Sequence, residues 1–323
     1  AHARAVAIAP SGAFMVSLGA DGKIRVGELE AGEETLVINH RAVVYRCGVD
    51  VSPDSQWMVA GSANLTVYQG GTKKKVCVLK RPTRKGVTDV AFSPDSAHIA
   101  TTATGQDGGG FDADGSRLRV WDAQSGALLH EVALAEDGRA VGGWAVRWLD
   151  DGAVVVHLDG RLVRFDLDSQ TLSDLGVVAR GGRVMDVHDG RIAFPVDGRV
   201  EVDGRSRSVV VGLQVLDAGT GLTVDLPFAE PLPAGRVRVT GVAWSADGTR
   251  LALGASIGAH QGVPNQSWVV VWGVEDGLEL LRWELMSSEV NGLAFTPDGL
   301  GIVTADNTGE LHRWAVADGD IVW

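Results

Sequence analysis

Apolar and polar residues alternate with period two in short runs along most of the chain, and nowhere do they settle into the spacing of an amphipathic helix. Pro, Asp, Asn and Gly pairs break these runs at regular intervals, which predicts an all-β chain of short strands. One pattern then repeats. VAFSPDSAHIATTA at 90–103 returns as VAWSADGTRLALGA at 242–255, LAFTPDGLGIVTAD at 293–306 and VDVSPDSQWMVAGS at 49–62. VAIAPSGAFMVSLG (6–19) and VRWLDDGAVVVHLD (146–159) are weaker copies, and VMDVHDGRIAFPVD (184–197) is a shortened one. Anchored on the turn residues Ala9, Ser52, Ser93, Leu149, His188, Ser245 and Thr296, the copies are spaced by 43, 41, 56, 39, 57 and 51 residues. The shorter spacings are those of one propeller blade.

Within each unit the anchor run is followed by a turn, a second strand, a third such as LRVWDAQSG or VVVWGVEDG, and a short fourth such as LLHEVAL. Four antiparallel strands repeated seven times predict a seven-bladed β-propeller forming a single domain over 1–323, with blades near 1–40, 41–81, 82–135, 136–180, 181–232, 233–286 and 287–323. A β-sandwich has no need of seven copies, and a β-solenoid would repeat at shorter intervals. Trp121, Trp272, Trp314, Phe92, Trp148, Trp244 and Phe295 read as core between blades, each worth roughly 2–3 kcal/mol of burial.

Antiparallel connectivity puts the loops between strands b and c, and between d and the next a, on one face. The three long spacings all arise from extra residues between strands b and c, about 104–116, 197–208 and 256–267 in blades 3, 5 and 6, so all three insertions rise from that face. Residues entering strand a from the same face surround the central channel. Stepping back from each anchor gives Arg4, Arg46, Thr88, Trp144, Arg183, Arg238 and Asn291, a cation-rich ring, and Trp268 at the start of strand c in blade 6 adds an aromatic group. Arg forks match carboxylate and phosphate groups, which makes this ring a candidate for an acidic or phosphorylated protein or peptide. Pairing of these arginines with nearby aspartates is the competing account.

The SPD turns followed by a strand, with Trp121-Asp122 closing the third strand of blade 3, resemble the WD-repeat family over essentially the whole chain. The copies are degenerate: the equivalent pairs are Phe165-Asp166, Leu216-Asp217, Trp272-Gly273 and Trp314-Ala315, and His40 is the nearest match to the family's Gly-His dipeptide. The family's buried Asp-His-Ser-Trp network is therefore not carried over to most blades. The resemblance implies a protein-binding scaffold, and its bacterial members are often fused to effector domains. Quinoprotein-type propellers share the turn seen in WDAQSGALL and LDAGTGL, so an enzymatic propeller using the central pocket stays open, as does a purely structural scaffold.

A net charge of -12 argues against general attraction to nucleic acid or anionic lipid, and no apolar run is long enough for a membrane helix. Two cysteines, Cys47 and Cys77, are too few for a disulfide framework. They are expected on the innermost and outermost strands of blade 2, out of bonding reach, and point to a reducing, cytoplasmic setting. Lysine scarcity beside Ala, Gly, Arg, Val and Asp richness suggests a bacterial, GC-rich source, and the chain reads as a domain of a longer protein. Five of its six lysines (73, 74, 75, 80 and 85) cluster around the outer strand of blade 2, where lysine blocks edge-to-edge pairing.

The sequence spells no sharp catalytic constellation. Gly254-Ala255-Ser256-Ile257-Gly258 spells the GxSxG elbow, but a strand rather than a helix is expected to follow. The eight histidines show no HxH or HExxH spacing, so a zinc site would have to be assembled across blades. Asp107, Asp112 and Asp114 share a Gly-rich loop that lacks the ligand order of an EF-hand. Asn64 and Asn265 head glycosylation sequons that matter only outside the cell. No metal and no cofactor are expected, and the leading expectation is a non-catalytic interaction or sensing module. Blade 1 is expected to begin with its own strand a and blade 7 to end with its own strand d near 320–323, so that side-chain packing closes the ring.

Overall fold

A computed structural model describes residues 3–39, 48–62, 64–80, 87–103, 106–107, 110–111, 116–136, 139–202, 205–233, 237–257, 265–286 and 288–323. They form seven antiparallel blades in sequence order, with no helix among the described residues. Blade 1 runs through Ala3–Ile8, Met15–Gly19, Lys23–Gly27 and Glu34–Asn39, and each strand pairs with the next. Blades 2 to 6 repeat this order, while blade 7 has Val290–Phe295, Gly301–Asp306 and Leu311–Ala315 with a single bridge, Trp314 to Ile321, standing for its fourth strand.

The repeated turn owes its sequence to one hydrogen-bonding device. In blade 2 the Ser52 hydroxyl donates to Asp54 (2.6 Å) and accepts the Trp57 N–H (2.9 Å), so one side chain closes the corner between strands a and b. Ser93 with Asp95, Ser245 with Asp247 and Thr296 with Asp298 repeat it. Such a turn needs a hydroxyl, a carboxylate two residues on and a residue at positive φ, as in an Asx or ST turn. The Ser245 hydroxyl, with the Thr249 N–H and O–H, pulls the Asp247 carboxyl down to about 2.

Successive blades present alternating apolar residues to each other, and a buried cluster lies at each of the seven seams. Between blades 5 and 6 it includes Leu213, Leu226, Trp244, Leu253 and Trp272, and between blades 3 and 4 Leu118, Val146, Trp148 and Phe165. All seven aromatic residues expected at the seams are buried. The Trp121 and Trp314 indole N–H groups donate to Thr101 (3.0 Å) and Thr304 (2.9 Å), so a Trp–Thr pair ties strands b and c in these two blades. The ring closes without strand exchange, as expected: Ala3–Ile8 pairs inside blade 1, and Arg313 exchanges backbone hydrogen bonds with Val322 and Trp323.

The insertions extend the b–c connections. In blade 5 strands b and c lengthen to Arg191–Val202 and Arg205–Asp217, a ribbon with a register shift at Val196/Asp197. Blade 3 carries a small hairpin, Gln106–Asp107 with Gly110–Phe111, and in blade 6 strands b and c reach Ile257 and resume at Gln266. A further two-residue hairpin, Ala135–Glu136 with Arg139–Ala140, lies in the connection from blade 3 to blade 4.

Candidate functional site

Strand a of several blades carries an irregularity where it enters from the insertion-bearing face. Register shifts fall between Ala3 and Ala5, Gly143 and Val146, Val239 and Gly241, and Val290 and Gly292. Each bulge frees a residue from the ladder and re-aims its side chain, and bulges of this kind gather where a fold presents groups to a ligand. The residues so released are Arg4, Trp144 with Ala145, Thr240 and Asn291. With Thr88 and Arg183 they line a cavity of about 210 Å³ at the channel mouth.

Five of the seven ring residues read from the sequence thus meet at this cavity: Arg4, Thr88, Trp144, Arg183 and Asn291. The Arg183 guanidinium lies over the Trp144 ring, 3.5 Å from its centroid, while the Trp144 indole N–H donates to Asp159 (2.7 Å). Stacking fixes the guanidinium plane and leaves its edge N–H groups to a ligand. Burial lowers the Arg183 pKa and the nearby Asp159 opposes that shift. Among the described residues no carboxylate forms an ion pair with Arg4 or Arg183 within 4.0 Å. Thr88 and Asn291 are engaged in the frame: the Thr88 hydroxyl donates to the Gly143 carbonyl (2.6 Å) and the Asn291 amide to that of Ala3 (2.9 Å).

The structure sets Arg238 and Trp268 apart from this cavity, and other residues read from the sequence lie outside the described ones. In blade 6 the bulge delivers Thr240, not Arg238, which is exposed two residues earlier with Glu289 at 3.7 Å. Trp268 is only 4 % exposed and packs in the core between blades 5 and 6, so it offers no surface to a partner; the start of its strand is already inside the sheet, paired with Ala255. Arg46 and Cys47 lie outside the described residues, as do Asp112 and Asp114; Cys77 is a free thiol on the outer strand of blade 2.

Beneath the mouth lies a layer of charge that the ring analysis missed. The Arg147 guanidinium bridges Asp89 of blade 3 (2.7 Å) and Asp186 of blade 5 (3.1 Å). Each neighbouring carboxylate also accepts a backbone N–H from the following blade: Asp50 from Phe92 (2.7 Å), Asp89 from Val146 (3.1 Å) and Asp186 from Trp244 (2.9 Å). Blades 2 to 6 are therefore clasped through the channel. Burial pushes the Asp50 carboxyl up to about 7, against the opposing pull of the Phe92 N–H and Arg147. Burial lowers the Arg147 pKa, but Asp89, Asp186 and Asp50 outweigh it and hold the guanidinium charged.

Ser256 of the GxSxG spelling lies within strand b of blade 6, buried, bonded to the Ser267 hydroxyl (2.8 Å) and the Val290 carbonyl (3.0 Å). Its geometry is that of a seam, not of an exposed nucleophile. The sequon hydroxyls Thr66 and Ser267 are likewise buried in strands. No helix among the described residues is long and apolar enough to cross a membrane.

Residues 73–122 match the family described as WD domain, G-beta repeat, a stretch that runs from the outer edge of blade 2 through strand c of blade 3. No curated protein matches the chain. Among solved structures it is similar to that of U3-55K, with a TM-score of 0.71 and 14% sequence identity over 99% of this chain and 94% of that one. At that identity the likeness concerns the fold alone, and a fold serves many functions. Residues 73–122 thus match a WD-type repeat within a chain folded as a seven-bladed β-propeller.

Proposed function

We propose that this propeller is a non-catalytic binding module whose ligand is an acidic or phosphorylated segment of a protein, taken at the channel mouth on the insertion-bearing face. The observation that carries the reading is the pair of arginines, Arg4 and Arg183, facing one cavity with no carboxylate within 4.0 Å of either among the described residues, in a chain of net charge -12, one of them held flat on Trp144. A cation retained against that background favours an anion, and the fixed fork of a stacked arginine suits a carboxylate or phosphate. The b–c extensions of blades 3 and 5 rise from the same face, within which the flanking residues of such a segment would lie.

The test is fluorescence anisotropy with labelled peptides rich in Asp, Glu or phosphoserine, set against neutral peptides of equal length. Arg4→Ala and Arg183→Ala are each expected to weaken binding of an acidic peptide by about 1–3 kcal/mol without loss of fold. Affinity unchanged in the double variant, but lost on replacing Lys73, Lys74 and Lys75, would move the site to the outer edge of blade 2.

A further inference from the structure

On the same face, at the b–c turn of blade 7, a second group of side chains converges that the channel mouth does not use. Asp306 ends strand b, Glu310 lies in the turn and His312 is in strand c. His312 Nε2 lies 3.7 Å from Asp306 Oδ2 and 3.6 Å from Glu310 Oε2, and one ligand atom from each residue falls within 4.8 Å of the others.

Two features set this group apart from a solvated charge cluster. Asp306 is only 3 % exposed, and its two oxygens are used unequally. Oδ1 accepts from the Thr308 N–H and O–H, the Gly309 N–H and the Glu310 N–H, which fixes the carboxylate plane. Oδ2 accepts no hydrogen bond from the described residues and is aimed at the imidazole. Separations of 3.6 and 3.7 Å are also too long for a normal hydrogen bond from nitrogen to oxygen. They lie close to the ligand-to-ligand edge, roughly 3.3–3.6 Å, of a tetrahedron with metal bonds near 2.0–2.2 Å.

We propose that Asp306, Glu310 and His312 form a site for a divalent transition-metal ion of the zinc or cobalt kind, with a fourth position open to water or to an anionic group. The imidazole nitrogen selects this class, because calcium and magnesium take oxygen ligands and calcium needs six or more of them. Asp306 is preset by its turn, and Glu310, with a side chain 70 % exposed, needs only a rotamer change to close on the ion. The site is independent of the arginine mouth and stands whether or not that mouth binds an acidic segment.

The experiment titrates the whole chain with Co²⁺, followed by visible absorption, and with Zn²⁺, followed by calorimetry. One equivalent is expected to bind, with ligand-field bands of a low-coordinate Co²⁺ that Zn²⁺ displaces and millimolar Ca²⁺ does not. Glu310→Gln and His312→Ala are each expected to lower affinity by at least about tenfold while their circular dichroism stays that of the parent. Those two are chosen because Asp306→Asn disturbs the turn itself. Absence of uptake by the parent chain, displacement by calcium, or variants that bind as tightly as the parent would overturn the proposal, leaving His312 as the cation of an ordinary ion pair.

Discussion

Asp50 is the residue on which burial and charge disagree most. Its two oxygens already accept the Val51 and Phe92 N–H groups, yet it shares the cavity with Asp89, Asp186 and the guanidinium of Arg147. The ordinary value for its carboxyl is 3.8, and in the fold it is about 7. Between these values the folded chain keeps a proton that the unfolded chain has lost. Stability from this group is therefore full in acid, falls as pH rises through that window, and is lost above about 7. The urea midpoint is expected to fall between about pH 5 and pH 7 and then to flatten. In Asp50→Asn that slope shrinks whatever the variant's absolute stability, since the two proteins differ in no other titratable group. Identical slopes would show that Asp50 is ionised throughout.

The a–b turns show how a local cost is kept for a contact between elements. Gly248 and Gly299 occupy the positive-φ corner in blades 6 and 7, but Ser55 and Ser96 occupy it in blades 2 and 3, at φ of 61° and 62°. A non-glycine residue there costs about 1–2 kcal/mol. The compensation lies in the preceding blade: Ser55 Oγ accepts the Ser11 N–H (3.0 Å) and Ser96 Oγ the Asp54 N–H (3.2 Å), so the turns of blades 1, 2 and 3 are stitched in series. Ser96→Ala keeps the strain, loses the bond and is expected to cost about 0.5–1.5 kcal/mol. Ser96→Gly loses the bond but relieves the strain and is expected near zero. Chemical denaturation that ranks glycine below alanine would show that the serine is not strained.

How far the sequence could be read differs by element for physical reasons. Strand order and turns follow from period-two alternation and the hydroxyl–carboxylate signature, which are local. The bulges are not local: one extra residue at the entry of strand a shifts what faces the channel, so stepping back from the anchor reaches Arg4, Trp144 and Asn291 but overshoots Thr240 to Arg238. Trp268 misled because the first residues of a lengthened strand are already sheet. The charged layer was legible in register: two residues before each anchor stand Ala7, Asp50, Ala91, Arg147, Asp186, Ala243 and Ala294, and all seven line one cavity of about 480 Å³. Charge where other blades keep alanine was the available signal. The metal-ligand group carries no HxH or HExxH signature, because here a single histidine meets two carboxylates across a hairpin.

At the scale of the whole ring, the seams are unequal. Among the described residues the cluster between blades 5 and 6 holds sixteen buried apolar residues, while that between blades 7 and 1 holds Met15, Leu29 and Val303, with Val6, Ile8, Leu311 and Trp323 partly buried against them. Propeller blades are held side by side by such clusters, so closure needs other ties at this seam. Trp323 supplies one: its indole N–H donates to the Leu29 carbonyl (3.1 Å), and its ring lies against Gly32, where a Cβ would come within 2.6 Å of it. Arg313 adds an ion pair with Glu30 (3.1 Å), whose carboxylate is largely exposed and so worth little. Trp323→Ala is expected to cost about 2–3 kcal/mol through lost contact and one unpaired carbonyl. Gly32→Ala is expected to act on the same seam, because a φ of 68° and the indole both oppose a methyl group there. Hydrogen exchange read by mass spectrometry should then rise in blades 1 and 7 while the Trp244–Trp272 region between blades 5 and 6 keeps its protection. A uniform rise around the ring would mean that the propeller opens as one unit and that this seam is no weaker than the rest.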